Sequence, residues 1–279
     1  MIFADNGHGV RTRNARPYLI EKPFSVIISK NPKREEKMTR FFIDKSAIKD
    51  KEIIFEEPAH IKALRLRKGD ELILCDGEKT DYYCKLTSVE ATRAKAEIIQ
   101  YVTCAGEPDT EVSVYMAYAK GERLDFAVQK CVEIGATAIY LFPSARVVAL
   151  PDSKSLPKKL ERMNAISKSA AEQSGRGIIP PVTALNTFDE AVTWAAETHL
   201  PLFCYEGERH VTLREAFKAV PAPLGVTIVT GCEGGFTPEE ANLALQRGML
   251  SVSLGSRILR CDTAPIAALT AVMFSTGNL

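Results

Sequence analysis

Thr230-Gly231-Cys232-Glu233-Gly234-Gly235-Phe236 follows the apolar run Val226 to Val229, and Leu254-Gly255-Ser256-Arg257-Ile258-Leu259-Arg260 follows Met249 to Ser253. Each stretch is a strand-like segment running into backbone that glycine tolerates best. The second turn adds two arginines three positions apart. Between the turns, Thr237-Pro238-Glu239-Glu240 opens a helix, with a threonine N-cap, proline at the first position and glutamate at the third. Free N–H groups at such a junction suit a carboxylate, a phosphate or a ribose. The two turns together predict a small-molecule pocket beside an anionic partner. The plainer alternative is a tight turn with a solvated acid at Glu233, and a surface pair at Arg257 and Arg260.

Outward from these turns, strand and helix patterns alternate from Glu111 onward. Strands are predicted over residues 112–119, 137–142, 201–205, 225–230 and 250–254. Helices are predicted over 123–134, 157–174, 188–197, 213–219, 238–247 and 264–274. Gly135 and Gly175 stop two of these helices. Asp262-Thr263 is expected to cap the last one, with Thr263 in the capping role and Pro265 near the start. This alternation implies an α/β domain over residues 109–279, with a mostly parallel sheet covered on both faces.

Upstream, residues 38–108 read as short strands at 40–43, 52–55, 71–75, 82–86 and 93–102, with a helical stretch at 58–66. Asp76-Gly77 marks a hairpin with a loop longer than two residues. The expectation is a small β-barrel-like domain, with Gly106 to Asp109 as a linker. Residues 1–37 are broken by Asn6, Gly7, Gly9, Asn14, Pro17, Pro23, Asn31 and Pro32, and leave at most one short strand at 24–28. They are expected to be a poorly ordered extension, with Met38 as the start of the folded protein; a basic nucleic-acid-binding arm is the alternative.

The chain has 279 residues, 46% hydrophobic and 25% charged, with a net charge of +1. That composition accommodates two globular domains. Acidic and basic residues are close to balanced in both predicted domains, so an RNA-binding footprint must be a local patch. Seven cysteines without a CxxC pair read as reduced thiols of a cytoplasmic protein. No apolar run reaches the length of a membrane span.

The catalytic possibilities narrow by elimination. The glycine turns lack GxGxxG and are not followed by Lys-Ser/Thr, so neither dinucleotide nor P-loop binding is indicated. The four histidines are dispersed without ligand spacing, and GxSxG is absent. A reaction without a metal or a covalent nucleophile is favoured, such as direct group transfer from a bound donor. Two further polar clusters stand out. Lys120 to Glu133 places Lys130 and Glu133 on one helix, and Ala171 to Arg176 ends with an arginine that either favours the helix carbonyl end or reaches a substrate.

The C-terminal pair of turns, Gly231 to Phe236 and Leu254 to Ala264, resembles the signature of the SPOUT-class RNA methyltransferases, specifically the bacterial 16S rRNA uridine-N3 methyltransferase family. Met38-Thr39-Arg40-Phe41-Phe42, Lys120, Asp125, Gln129, Lys130, Glu133, Gly135, Glu172, Gln173, Arg176 and Pro180 fit the same pattern. Cys232 departs from it where the family usually carries proline, and Cys261-Asp262 where it carries a Thr-Glu pair. The resemblance implies a PUA-like RNA-recognition barrel over residues 38–108 and a SPOUT domain over 109–279 whose end threads into a trefoil knot, an exception to the rule against threading.

It further implies S-adenosylmethionine as the donor, a homodimer, and 16S rRNA in an assembled or nearly assembled small ribosomal subunit as the partner. The donor would be held by Tyr205, Glu206 and Gly207, by Thr230, Gly231, Glu233, Gly234 and Gly235, and by Met249, Leu254, Gly255, Ile258 and Leu259. Asp262 or Glu233 would take the uridine proton, with Arg257 or Arg260 stabilising the uracil oxyanion. A SPOUT enzyme for another rRNA or tRNA position, a non-catalytic RNA-binding protein and a nucleotide-dependent metabolic enzyme are the alternatives.

Overall fold

The computed structural model describes residues 38–279, which form one compact unit. The extension and the strand at 24–28 expected from the sequence lie outside the described residues. Residues 39–103 build a six-stranded sheet from β1 (Thr39–Phe42), β2 (Ile48–Lys49), β3 (Glu52–Phe55), β4 (Glu71–Cys75), β5 (Thr80–Val89) and β6 (Ala94–Thr103), with helix α1 (Pro58–Ala63). The strand order is β1-β4-β5-β6-β3-β2. β1 runs parallel to β4 and every other pairing is antiparallel.

Period-two alternation explains the packing of this sheet. Leu72 and Leu74 of β4 and Cys84 and Leu86 of β5 turn inward onto Phe41, Ile53, Phe55 and Ile61. Asp76 fixes the β4–β5 turn, its carboxylate accepting from the N–H groups of Glu78 and Thr80 at 2.8 and 3.1 Å.

The second sheet comprises β7 (Glu111–Ala117), β8 (Ala138–Phe142), β9 (Val182–Ala184), β10 (Leu200–Cys204), β11 (Gly225–Thr230) and β12 (Leu250–Val252). All its pairings are parallel, in the order β12-β10-β11-β7-β8-β9. The helices are α2 (Arg123–Ile134), α3 (Leu156–Ser174), α4 (Phe188–Ala195), α5 (Leu213–Ala219), α6 (Pro238–Gln246) and α7 (Thr263–Ser275). Alternation along β7 sends Val112, Val114 and Met116 into the core beneath α2, α3 and α7. Tyr115 and Ala117 point into the opposite core, beneath α4 and α6. Both faces are therefore covered, as a parallel sheet requires. After β12, at one edge of the sheet, the chain returns to lay α7 against α2, β7 and β11.

Several readings need correction. β2 and β9 were not anticipated, because strands of two and three residues carry no detectable period. Thr263 does not cap α7. It is the first helical residue, Asp262 occupies the cap position, and neither side chain makes a capping bond. Arg176 is no substrate contact: its side chain is only 2% exposed. It donates to the carbonyls of Val132 and Ala136 at 2.8 and 3.0 Å, and forks onto Glu107 at 2.9 and 2.8 Å.

Candidate active site at the ends of three adjacent strands

β12, β10 and β11 are neighbours and parallel, so the loops that follow them leave from the same edge of the sheet. The carboxyl ends of parallel strands are where open α/β sheets bind ligands. Tyr205 N donates to Val252 O at 3.1 Å and Ser253 N to Val211 O at 2.7 Å, tying the first loop to the third. The three loops enclose a cavity of about 310 Å³, at the lower end of the small-molecule range. Leu254, Ile258 and Leu259 give it apolar walls, and the backbone of residues 230–235 supplies polar groups.

The middle loop must be glycine-rich because its neighbours press on it. Gly235 has φ +64°, and a Cβ there would stand 1.9 Å from a carboxylate oxygen of Glu206. At Gly234 a Cβ would meet the Arg146 side chain at 2.9 Å. Arg146, from the loop after β8, donates to Gly234 O at 2.8 Å and stands 4.0 Å from Glu206. It thus links the first and second loops from outside both. Glu240 holds this arginine's loop in turn, its carboxylate accepting from Ala145 N at 2.8 Å while also closing the Thr237 capping box.

Glu233 is held from another direction. Its carboxylate accepts from Lys120 N at 2.9 Å and from the Arg123 guanidinium at 3.0 Å. Burial pushes the carboxyl up, but the Lys120 and Glu233 N–H groups and Arg123 together outweigh it, leaving Glu233 below the usual carboxylate range. Cys204, Cys232 and Cys261 also line the cavity. Burial is the leading reason that all three thiols titrate high, Cys204 being pushed up to about 12. Protonated thiols are poor nucleophiles, so none of the three is poised to act as one. Among the described residues, no group of three or more His, Cys, Asp or Glu side chains converges on a metal position.

Tyr205, Glu206, Thr230, Gly231, Glu233, Gly234, Gly235, Leu254, Gly255, Ile258 and Leu259 line the cavity, and so does Arg257. Gly207 and Met249 are not in its wall. Gly207 lies against the Tyr205 ring, and the Met249 side chain is buried in the core with Phe203 and Phe236. Arg260 and Asp262 flank the cavity residue Cys261. Arg260 is exposed, and the half-buried Asp262 carboxylate accepts from Thr263 Oγ1 at 3.3 Å. Sequence reasoning missed the roles of Arg123 and Arg146. Arg123 lay in a cluster already noted for its polarity, whereas Arg146 is a lone loop arginine with no sequence signal.

Residues 106–273 match the RNA methyltransferase domain family, and residues 59–99 match the RNA methyltransferase PUA domain family. The ribosomal RNA small subunit methyltransferase E of Bacillus subtilis (strain 168) is 32% identical over 252 residues, spanning 87% of this chain and 98% of that protein. The crystal structure of a ribosomal RNA small subunit methyltransferase E from Neisseria gonorrhoeae bound to S-adenosyl methionine matches with a TM-score of 0.72 and 31% identity. It spans 85% of this chain and 97% of that one. A putative methyltransferase of Legionella pneumophila, in complex with bound SAM, matches with a TM-score of 0.77 and 27% identity over 86% and 98% of the two chains.

Proposed function

This chain belongs to the bacterial SPOUT-class ribosomal RNA small subunit methyltransferase E family, and from that premise we propose that it methylates N3 of one uridine in 16S rRNA, with S-adenosylmethionine as donor. The observation that carries the reading is the single cavity where the loops after β10, β11 and β12 meet, with apolar walls and an arginine-bearing rim. The fit to the donor rests on this chain's own atoms. Gly235 lets the Glu206 carboxylate lie against the middle loop, where a Cβ would strike it, and Leu254, Ile258 and Leu259 offer faces for an adenine while the backbone of residues 230–235 offers its edge partners. When bound, S-adenosylmethionine supplies a methyl group carried on a sulfonium.

The residues of the chain then divide the remaining work. N3 of uridine is a weak nucleophile while it keeps its proton. Asp262 is the better acceptor of that proton, because the Glu233 carboxylate already serves Lys120 N and Arg123. Glu233 organises the glycine loop. Arg257 in the wall and Arg260 beside it face the negative charge that spreads onto the uracil oxygens. Tyr205, Glu206 and Gly255 complete the wall, with Gly207 and Met249 supporting it from behind.

Residues 38–108 present the RNA as a PUA-like module and residues 109–279 carry the chemistry; the return of the chain from β12 to α7 is read as the trefoil knot of the SPOUT class. The active form is a homodimer acting on a largely assembled small subunit in the cytoplasm, a compartment that suits seven unpaired cysteines. No described helix is long and apolar enough to cross a membrane.

The test is methylation of small subunits from a strain that lacks the gene, using donor labelled in its methyl group, followed by mass mapping of 16S rRNA. One new N3-methyluridine is expected. A mark on another base or another RNA, or donor binding with no mark at all, overturns the reading.

A further inference from the structure

A basic surface packs against the segment that holds Glu233. Lys120, whose N–H holds Glu233, is two residues beyond Tyr118, and Lys159 Nζ stands 5.2 Å from the centre of the Tyr118 ring. Arg123, which also holds Glu233, is two residues before Asp125, and Asp125 carries Arg162 in an ion pair. Lys159 and Arg162 of α3 thereby pack against residues 118–125, the segment that holds Glu233, and Arg146, which opens the loop leading to α3, donates to Gly234 O at 2.8 Å. Lys154 and Lys158 extend the same surface outward. Both are exposed, and no carboxylate of the described residues lies within ion-pair distance of either.

Between Arg146 and Arg162 the chain carries five cations and two carboxylates. One of these, Asp152, is turned onto the N–H groups of Lys154 and Ser155 and the Ser155 hydroxyl. Burial holds the Lys159 ammonium below its usual range; Asp125 opposes that shift and Arg162 adds to it, so a further anion there would be welcome. The loop from Arg146 to α3 also holds Val148 and Leu150 in solvent, 85% and 57% exposed.

Resting on the methyltransferase reading, we infer that Lys154, Lys158, Lys159 and Arg162 form a track for the phosphates of the substrate RNA leading into the donor cavity, with Val148 and Leu150 against the face of a base beside the target. Cations at this spacing position a backbone without reading sequence. Unpaired exposed apolar side chains beside them suit the face of an unstacked base, since sequence-specific RNA recognition uses bases splayed out of the helix.

The experiment uses the full-length protein with the double charge reversal Lys154→Glu/Lys158→Glu, and the milder Lys154→Gln/Lys158→Gln. The charge reversal should raise KM for unmethylated small subunits at least tenfold while leaving kcat and the donor Kd, read by calorimetry, within twofold of wild type. The glutamine pair should fall between. In binding to a 16S rRNA fragment, the slope of log affinity against log salt should become shallower by roughly 1 to 2, as the loss of two phosphate contacts requires. Unchanged KM and salt slope in both variants overturn the track, even if the wild type methylates the subunit normally. If the wild type leaves no mark on 16S rRNA, the methyltransferase reading fails; the salt slope on the RNA fragment still decides the track by itself.

Discussion

Glu233 sits in a glycine-rich turn, between Cys232 and Gly234, yet its chemistry is set by groups 113 and 110 positions away, the Lys120 N–H and the Arg123 guanidinium. Its folded carboxyl lies below the ordinary glutamate value of about 4.3. A depressed carboxyl makes its contacts fully above the unfolded value and loses them as the pH falls through the folded one. Donor affinity in the wild type should therefore stay level through the neutral range and fall only below that ordinary value. Removing one cationic partner raises the carboxyl. Arg123→Ala should weaken donor binding several-fold at pH 7 and move its acid limb to higher pH, with Arg123→Lys restoring part of both. Calorimetric titrations across pH read the limb directly, and a limb that stays in place would mean that Glu233 does not govern the donor loop. The acid itself was legible as a carboxylate in a glycine-rich turn. Its partners were not, because no local pattern joins residue 233 to residues 120 and 123.

Elements with strong local chemistry were legible as such. The Thr237 capping box forms as its sequence predicts, with both reciprocal bonds present. α2 and α3 end at Gly135 and Gly175, the latter in the left-handed region. Start signals failed at α7, where Asp262 and Thr263 both resemble caps and neither side chain makes the bond. The end of α3 shows a different limit. Arg176 reads equally well as a helix-terminal cation or a substrate contact, and only the buried fork onto Glu107 decides between them. Breaking a buried pair from one side costs about 3–5 kcal/mol, and 1 kcal/mol moves the midpoint of a chain this size by roughly 2–4 °C. Arg176→Met should thus lower Tm by about 10 °C, while the folded fraction at low temperature keeps its donor affinity. Thermal unfolding with calorimetry on the same sample separates the two effects. A wild-type Tm combined with lost donor binding would return Arg176 to the site.

At the scale of the whole molecule, strand and helix alternation was enough to give a parallel sheet covered on both faces, but not the order of its strands. That order matters most for function, because β12, β10 and β11 share a cavity only by being neighbours. It is fixed by long-range register, such as Leu202 opposite both Ile228 and Leu250, which alternation alone does not encode. α7 shows the same dependence on distant parts. Its inner residues Ala268, Leu269, Val272 and Met273 are buried, whereas Phe274 is 74% exposed, and Phe126 on the adjoining α2 is 49% exposed. Burying one such phenylalanine is worth about 1.5–3 kcal/mol, and a two-fold contact over them would bury each twice, since each copy presents the same surface to the other. The homodimer proposed for the active enzyme should therefore close over Phe126 and Phe274. Wild-type protein at micromolar concentration should sediment at twice the chain mass, and Phe274→Glu should weaken the dimer at least tenfold. Phe126→Glu/Phe274→Glu should run as a folded monomer with an unchanged far-ultraviolet spectrum. A wild-type monomer would remove the dimer, and a dimer indifferent to both substitutions would place its contact on another face.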